Sequence, residues 1–427
     1  MQQNLIADHP ITITSKFRDS SIVFVCYVSF AAFVAYSSMY GFRKPYTVGL
    51  YATISFLGVS YKVCLVVAQV LGYMLSKFYG IRFIAGMQPQ NRIRYILYFI
   101  GVAWASLLLF AIIPPPYNII CLFINGIPLG MIFGLVFGFL EGRKTTEIMG
   151  AFLATSFIFA SGLAKTTGKW VLIQLNVNEW WMPFVAGSFF VFPLLLSVWM
   201  LHQIPPPSQA DIAVRSKRMP MTNEERQLFL SQFGFAITPI IISYSIFTIV
   251  RDFCEDFSNE LWIETGYNQI SIFAQTSSIM SVIVLVIIGS FFLIKNNYKA
   301  FITTHYLIIF GISVAVISTI SFNLNLISPL YWMISATTGL YLSYLPFNCI
   351  YFERLLSTYK LKANVGFVMY IADAFGYLGT VLVLLVKEFL YFKVSWTHFF
   401  SFLFYGAGII GVLLVFFTLT IHKKIYA

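Results

Sequence analysis

The sequence predicts an all-α integral membrane protein in which twelve transmembrane helices form two pseudo-symmetric six-helix bundles. Its composition, its long apolar runs and a half-length repeat predict this class. Of the 427 residues, 59% are hydrophobic and only 10% are charged, and the mean hydropathy is +0.81. A water-soluble chain of this length needs far more charge on its surface. We therefore expect a multi-pass membrane protein.

Apolar runs of about 18 or more residues indicate helices that cross a bilayer. Twelve such runs cover residues 21–50, 60–80, 95–113, 118–140, 149–170, 181–202, 235–258, 269–294, 301–322, 329–351, 363–386 and 397–421. A polar, basic stretch with several prolines follows the sixth run. We therefore predict an N-terminal six-helix bundle at 1–202, a cytoplasmic linker at 203–234 and a C-terminal six-helix bundle at 235–427.

The basic residues orient the predicted bundle. The net charge is +11, and most of the 27 basic residues lie in segments that are inside if the N-terminus is cytoplasmic. The positive-inside rule therefore places both termini in the cytoplasm, with the protein in the cell (inner or plasma) membrane. The same distribution accounts for the basic charge without a nucleic-acid partner.

The sequence contains no pattern that is typical of an enzyme or a cofactor site. Its five cysteines and five histidines follow no metal-binding or disulfide spacing, and no phosphate loop, dinucleotide loop or catalytic triad pattern is present. We expect no enzymatic activity, no metal and no cofactor. The expected partners are the lipid bilayer and a small solute, and the expected functional unit is a monomer.

A repeat relates the two halves of the chain. A shift of 208 positions aligns "YSSMYGFR" (36–43) with "YSIFTIVR" (244–251), so that Arg43 meets Arg251. The match is short, but it supports a duplicated six-helix unit. Two such units related by an axis along the membrane normal describe the major facilitator arrangement, in which the substrate binds between the halves.

Tyr36, Tyr40 and Arg43 share one helix face because their spacing is i, i+4, i+7. In one interpretation, Arg43 and the adjacent Lys44 reach the outer headgroups and mark the helix end. In the other, which we favour, the helix extends beyond Arg43, because apolar residues resume after Pro45. Arg43 and Arg251 would then face a central cavity, where guanidinium groups bind phosphate or carboxylate bidentately.

These residues resemble the organophosphate:phosphate antiporters of the major facilitator superfamily, which exchange glycerol-3-phosphate or hexose phosphates for phosphate. The family pattern Y-x-x-x-Y-x-x-R-K in helix one is matched by Tyr36, Tyr40, Arg43 and Lys44. The Y-x-x-S-K-F pattern in helix two is matched by Tyr73, Ser76, Lys77 and Phe78. The arginine of helix seven with its following aspartate and aromatic is matched by Arg251, Asp256 and Phe257.

The resemblance implies that Arg43 and Arg251 bind substrate phosphate and that Tyr36, Tyr40, Tyr73 and Lys77 line the cleft. The sequence departs from the family in helix five, where the family has a histidine and this chain offers Lys165. Lys165 is either an ion-paired or interfacial residue or a third positive group in the cleft. Lys169, one turn further out, is interpreted as an interfacial anchor.

Three acidic residues are candidates for proton coupling. Glu255 stands four residues after Arg251, so the two can pair on one helix face, and Asp256 follows it. Asp373 lies within the eleventh run and has no partner close by in the sequence. Each is either a proton-coupling group or part of a structural ion pair. In helix four, Gly126, Gly130, Gly134 and Gly138 repeat every four residues and predict close helix packing rather than a ligand site.

These patterns together predict a secondary transporter that moves a small organic anion, in particular a phosphorylated one, by alternating access in exchange for phosphate. One alternative is a proton-coupled transporter of a non-phosphorylated carboxylate or another small solute. The other is a transporter-like membrane sensor of an organophosphate, which binds its ligand without moving it.

Overall fold

The structure, a computed structural model, describes residues 22–52, 54–85, 87–207, 211, 223–359, 365–389 and 394–426. Helices dominate it, and each of the twelve predicted runs contains one. The N-terminal half comprises α1 (Ile22–Gly41), α2 (Tyr61–Ala85), α3 (Arg92–Ile112), α4 (Ile119–Phe137), α5 (Thr146–Gln174), α6 (Met182–Ser188) and α7 (Val191–His202).

The C-terminal half repeats this plan. It comprises α8 (Asn223–Asp256), α9 (Ser258–Glu264), α10 (Ile272–Ser290), α11 (Asn297–Asn323), α12 (Pro329–Pro346), α13 (Phe352–Thr358), α14 (Val365–Phe389) and α15 (Trp396–Tyr426). A π-helical segment, Phe347–Tyr351, joins α12 to α13. Short 3-10 turns lie at Pro45–Val48, Pro89–Asn91 and Phe291–Leu293.

Nine helices among the described residues are long and apolar enough to span a membrane. The helices α6 and α7, which meet at a bend of 43°, meet the same criterion when they are taken together as one span. The other two predicted spans contain α12 and α14, which carry polar side chains, among them Tyr341, Tyr344, Asp373 and Thr380.

Helix packing in the two halves is equivalent. The first helix, α1, packs against α5 and α7, and its counterpart α8 packs against α14 and α15. The halves meet where α2 contacts α14 and where α5 contacts α10. Because α1 and α8 lie beside these seams, residues near their ends face the boundary between the halves.

The glycine stripe of α4 has the predicted packing role. A Cβ atom added at Gly126 would collide with the backbone of Gln69 and Tyr73, and one added at Gly130 would collide with Ser76. These glycines therefore let α4 lie directly against α2, which carries Tyr73 and Lys77 of the predicted site.

Two predicted boundaries differ from the structure. The first helix ends at Gly41 and does not extend beyond Arg43, because Pro45 lacks an amide hydrogen and starts a 3-10 turn. The chain then forms a small hairpin, β1 (Ser55–Phe56) paired antiparallel with β2 (Val59–Ser60), whose turn residue Gly58 has a φ of 77°.

The second difference concerns the linker predicted at 203–234. Residues 208–210 and 212–222 lie outside the described part of the chain, and α8 already begins at Asn223. The polar residues Asn223 to Gln227 therefore form the first turns of a long helix, with Glu224 and Glu225 in a first turn that favours acidic side chains.

Candidate functional site

Arg43 and Lys44 lie beyond the end of α1, yet both are buried. The backbone N–H groups of both residues donate to the carbonyl of Tyr40, at 3.0 and 2.9 Å, which closes the last turn of the helix. The side chain of Gln69 on α2 donates to the carbonyl of Arg43 at 3.0 Å. The two cations are therefore held inside the bundle by a chain reversal and do not reach headgroups at a helix end.

The Arg43 guanidinium lies among tyrosines. Its central carbon is 4.0 Å from the ring centroid of Tyr73 and 5.6 Å from that of Tyr40, and Tyr40 packs edge-on against Tyr36 at 5.7 Å. Arg43 is only 6% exposed, and its Nε atom has no hydrogen-bond partner. Among the described residues, no carboxylate lies within 4.0 Å of this guanidinium. Aromatic faces attract a cation but do not neutralise its charge.

Arg251 on α8 has a different environment. Its Nη2 atom donates to Asp252 at 2.5 Å, and its Nη1 atom donates to the Tyr344 hydroxyl at 2.8 Å. The second oxygen of Asp252 accepts a hydrogen bond from Thr380 at 2.9 Å. The predicted pairing of Arg251 with Glu255 is wrong, because Asp252 occupies the guanidinium and Glu255 contacts the other half of the protein.

Lys44 forms the central ion pairs between the halves. Its ammonium group donates to Asp256 and lies 3.3 Å from Glu255, and all three side chains are buried. Glu255 also accepts a hydrogen bond from Tyr341 at 2.9 Å. Glu255 and Asp256, the two helix-seven candidates for proton coupling, are therefore the counter-ions of Lys44 in this structure.

Lys77 and Asp373 form a second ion pair across the boundary, at 3.2 Å. Asp373 also accepts a hydrogen bond from Tyr244 at 2.5 Å, and the Tyr244 hydroxyl lies 3.2 Å from that of Tyr344. Asp373 thus connects the α2 lysine to the tyrosines beside Arg251. Because its partners Lys77 and Tyr244 come from α2 and α8, the sequence around Asp373 shows no partner for it.

Lys165 donates to the Ser258 hydroxyl at 3.0 Å and is 5% exposed. The interpretation of Lys169 as an interfacial anchor is wrong, because its side chain is only 6% exposed and its ammonium nitrogen has no hydrogen-bond partner. Both lysines point into the seam between α5 and α10 instead of reaching headgroups.

The structure brings the predicted residues into one cluster. Glu255 is within electrostatic range of four of the predicted cations, Lys44, Arg251, Lys165 and Arg43. Tyr73 of the same cluster packs edge-on against Tyr377 of the other half at 5.3 Å. All of these side chains are buried. The cluster is therefore a closed, strongly charged site at the boundary between the halves.

Sequence reasoning missed several members of this site. Lys62 pairs with Glu260 of the other half and donates to the carbonyl of Thr47 at 2.5 Å. Gln69 donates to Asn125 at 2.8 Å, which in turn donates to the carbonyl of Phe42 at 3.1 Å. A polar residue inside an apolar run was the available signal for Gln69 and Asn125.

The fold is that of the major facilitator transporters, as comparison with solved structures shows. The D-xylose-proton symporter matches with a TM-score of 0.59 and 17% identity, covering 93% of this chain and 97% of that chain. A peptide transporter POT in complex with alafosfalin matches with a TM-score of 0.59 and 13% identity, covering 94% and 96%. The human organic anion transporter MFSD10 (TETRAN) matches with a TM-score of 0.55 and 12% identity, covering 91% and 98%.

The sequence profile of DUF5690, a family of unknown function, matches residues 45–424, and the chain belongs to that family. A search of curated proteins gave no match. The structural neighbours differ in the solutes that their names give, and at these identities they share only the fold with this chain. The resemblance to organophosphate:phosphate antiporters stays a prediction.

Proposed function

We propose that this protein is a secondary transporter that moves a small organic anion by alternating access between its two halves. The fold supports transport, since major facilitator proteins bind their solute between the halves. The charge of the site supports an anion. The finer proposal is that the anion is phosphorylated and is exchanged for inorganic phosphate across the cell membrane, with both termini cytoplasmic.

One observation carries the proposal: Arg43 is buried at the boundary between the halves, and no carboxylate of the described residues forms a salt bridge with it. A charged group inside a membrane protein is costly unless an opposite charge offsets it. The other arginine of the repeat, Arg251, has Asp252 as its counter-ion. An anionic ligand at Arg43 would offset this charge, and a guanidinium binds phosphate or carboxylate oxygens through two parallel hydrogen bonds.

Alternating access follows from how tightly the site is closed. Arg43, Arg251 and Asp373 are only 6%, 5% and 7% exposed, so the site is closed to solvent in this structure. An organic anion can enter only when the halves separate on one side. Because binding offsets the charge of Arg43, closure is easier with a ligand than without one, which favours exchange over net transport.

The direct test is counterflow in proteoliposomes loaded with phosphate, measured as uptake of radiolabelled phosphate or sugar phosphate. We expect Arg43→Ala and Arg251→Ala to abolish exchange. The matched control is Arg94→Ala, which removes an exposed arginine at the start of α3 and is expected to retain it. Undiminished exchange by both site variants would overturn the arginine assignment. Ligand binding without any counterflow would support a membrane sensor instead.

A second candidate is proton-coupled transport of a non-phosphorylated carboxylate. The contacts of Asp373 favour it, because one carboxylate holds Lys77 of the N-terminal half and Tyr244 of the C-terminal half. Protonation of Asp373 would weaken the ion pair that joins the halves. This candidate predicts that collapse of the pH gradient abolishes uptake, whereas phosphate exchange survives it.

A further inference from the structure

Lys165 and Lys169 place two further positive charges beside the Arg43 site. They are one helical turn apart on α5, so their side chains share a face. Their ammonium nitrogens lie 5.9 and 5.5 Å from the ring centroid of the same residue, Phe273 in the first turn of α10. The two charges therefore point at one place in the seam between α5 and α10.

Neither lysine has a counter-ion among the described residues. In the part of the chain that the structure describes, the ammonium group of Lys165 donates only to the Ser258 hydroxyl, and that of Lys169 has no hydrogen-bond partner although its side chain is buried. Two like charges at i and i+4 repel, and burial makes each of them more costly. An anionic group bound between them would offset both charges and supply the missing hydrogen-bond acceptor.

This lysine pair lies next to the segment that carries Arg43. A Cβ atom added at Gly168 would lie 3.2 Å from Pro45, two residues after Arg43, so α5 touches that segment at the turn between the lysines. Lys165 is also within electrostatic range of Lys44 and Glu255. The site therefore has two neighbouring places without a counter-ion, one at a guanidinium and one at a pair of ammonium groups.

We propose that Lys165 and Lys169 form a second anion subsite and that the substrate carries two separate anionic groups on one short carbon chain. This inference rests on the proposed transport of an organic anion held by Arg43. The forked guanidinium of Arg43 matches phosphate, and the lysine pair takes a carboxylate at the other end of the molecule. A phosphate ester with a neutral end leaves the lysine charges uncompensated.

The test compares 3-phosphoglycerate with glycerol 3-phosphate, which differ at the end away from the phosphate: one has a carboxylate and the other a hydroxymethyl group. The readout is the concentration of each compound that half-inhibits phosphate counterflow by the full-length protein. We expect 3-phosphoglycerate to be effective at roughly ten- to hundredfold lower concentration, as a hydrogen bond between charged groups implies.

The Lys165→Gln/Lys169→Gln variant is expected to lose most of this preference, because it removes the charges that meet the carboxylate. The matched control, Lys144→Gln/Lys295→Gln, removes two exposed lysines and is expected to keep it. If the double variant does not fold, the single Lys169→Gln variant serves, since that ammonium group has no hydrogen-bond partner to lose.

Equal inhibition by the two compounds in the wild-type protein would overturn the subsite. So would a double variant in which the half-inhibiting concentrations of both compounds rise by the same factor. The proposed function would still stand if Arg43→Gln weakened both compounds. If neither compound nor phosphate bound, the proposed exchange of a phosphorylated anion would fail, and the subsite with it.

Discussion

At the scale of single residues, the buried cations of the site fall into two groups. Lys44, Lys62, Lys77 and Arg251 each contact a carboxylate, and Lys44, Lys62 and Lys77 do so across the boundary between the halves. Arg43, Lys165 and Lys169 contact none among the described residues. A paired cation contributes to stability through its partner, whereas an unpaired one is costly until a ligand arrives. The three pairs across the boundary therefore hold the halves together in this structure, and the unpaired cations are where the proposed ligand would offset a charge.

This division predicts opposite effects of two arginine substitutions on stability. Arg251→Gln leaves Asp252 buried without its cation, and breaking a buried pair typically costs about 3–5 kcal/mol. Arg43→Gln removes a charge that has no counter-ion, so the ligand-free protein is expected to unfold at an unchanged or higher temperature. Thermal unfolding of both purified variants measures the difference.

The control for this prediction is the double variant Arg251→Gln/Asp252→Asn, which removes both charges of the pair. It is expected to recover a large part of the stability that Arg251→Gln loses. Equal destabilisation by Arg43→Gln and Arg251→Gln would contradict the division into paired and unpaired cations.

Asp373 gives a second prediction at this scale. Asp373→Asn removes the countercharge of Lys77 and weakens the hydrogen bond from Tyr244, so we expect slower exchange. The slowing should be the same with and without a pH gradient if Asp373 is a structural counter-ion. The measurement is counterflow in proteoliposomes before and after an ionophore collapses the gradient. Proton coupling through Asp373 would be favoured by two results together: wild-type uptake depends on the pH gradient, and Asp373→Asn loses only the uptake that the gradient drives.

The residues of the site were more predictable from sequence than their contacts. Arg43 and Arg251 were identifiable because arginine is rare within apolar runs and because a repeat aligned them. The partner of Arg251 was not, since both Asp252 and Glu255 are close in sequence and only the position of Lys44 decides between them. Tyr344 and Tyr377 were hidden among 25 tyrosines, most of which lie in apolar runs as well.

At the scale of helices, the number and order of the elements followed from hydropathy, while their ends did not. Hydropathy continues past Gly41, so it predicted a longer first helix than the chain forms. The chain instead passes through a turn into the 3-10 segment Pro45–Val48, and Arg43 and Lys44 stay buried inside the bundle. The C-terminal end of α1 is set by the local backbone chemistry of Pro45. The average hydropathy of a run of residues does not report such an effect.

The contact between α4 and α2 is testable through its glycines. Gly126→Leu forces the two helices apart, because the new side chain meets the backbone of Gln69 and Tyr73. Overpacking of this kind commonly costs about 1–3 kcal/mol, so the thermal midpoint should fall. Anion binding should weaken in addition, since Tyr73 packs on the Arg43 guanidinium.

The matched control is Gly101→Leu on α3, where an added Cβ would meet nothing within 4 Å. It makes the same chemical change in another helix and is expected to leave the thermal midpoint and anion affinity close to those of the wild type. Similar losses in both variants would show that leucine is simply not tolerated at helix glycines here, and that the α4 stripe has no special packing role.

At the scale of the whole molecule, ion pairs join the halves at more than one position. Lys62 pairs with Glu260, Lys44 pairs with Glu255 and Asp256, and Glu147 pairs with Arg354 at 3.0 Å. The first set lies at the start of α2, the second lies just after the end of α1, and the third lies at the start of α5. The halves are therefore held together at opposite ends of the bundle. Alternating access requires one set of pairs to break while the other holds.

This arrangement makes a prediction about charge reversal. Lys62→Glu places two carboxylates against each other and should keep the halves apart on that side, so exchange should fall by about tenfold or more, which corresponds to about 1.4 kcal/mol. The swapped variant Lys62→Glu/Glu260→Lys restores the attraction and should recover much of the rate. At the start of α5, Glu147→Lys should slow exchange in the same way, and the swapped variant Glu147→Lys/Arg354→Glu should recover much of the rate. Counterflow rates of the wild type, the four single reversals (Lys62→Glu, Glu260→Lys, Glu147→Lys and Arg354→Glu) and the two swapped variants give the coupling energy of each pair, for which contacting residues usually show about 0.5–3 kcal/mol. Swapped variants as slow as the single reversals would mean that these pairs fix only the fold and take no part in the closing of the halves.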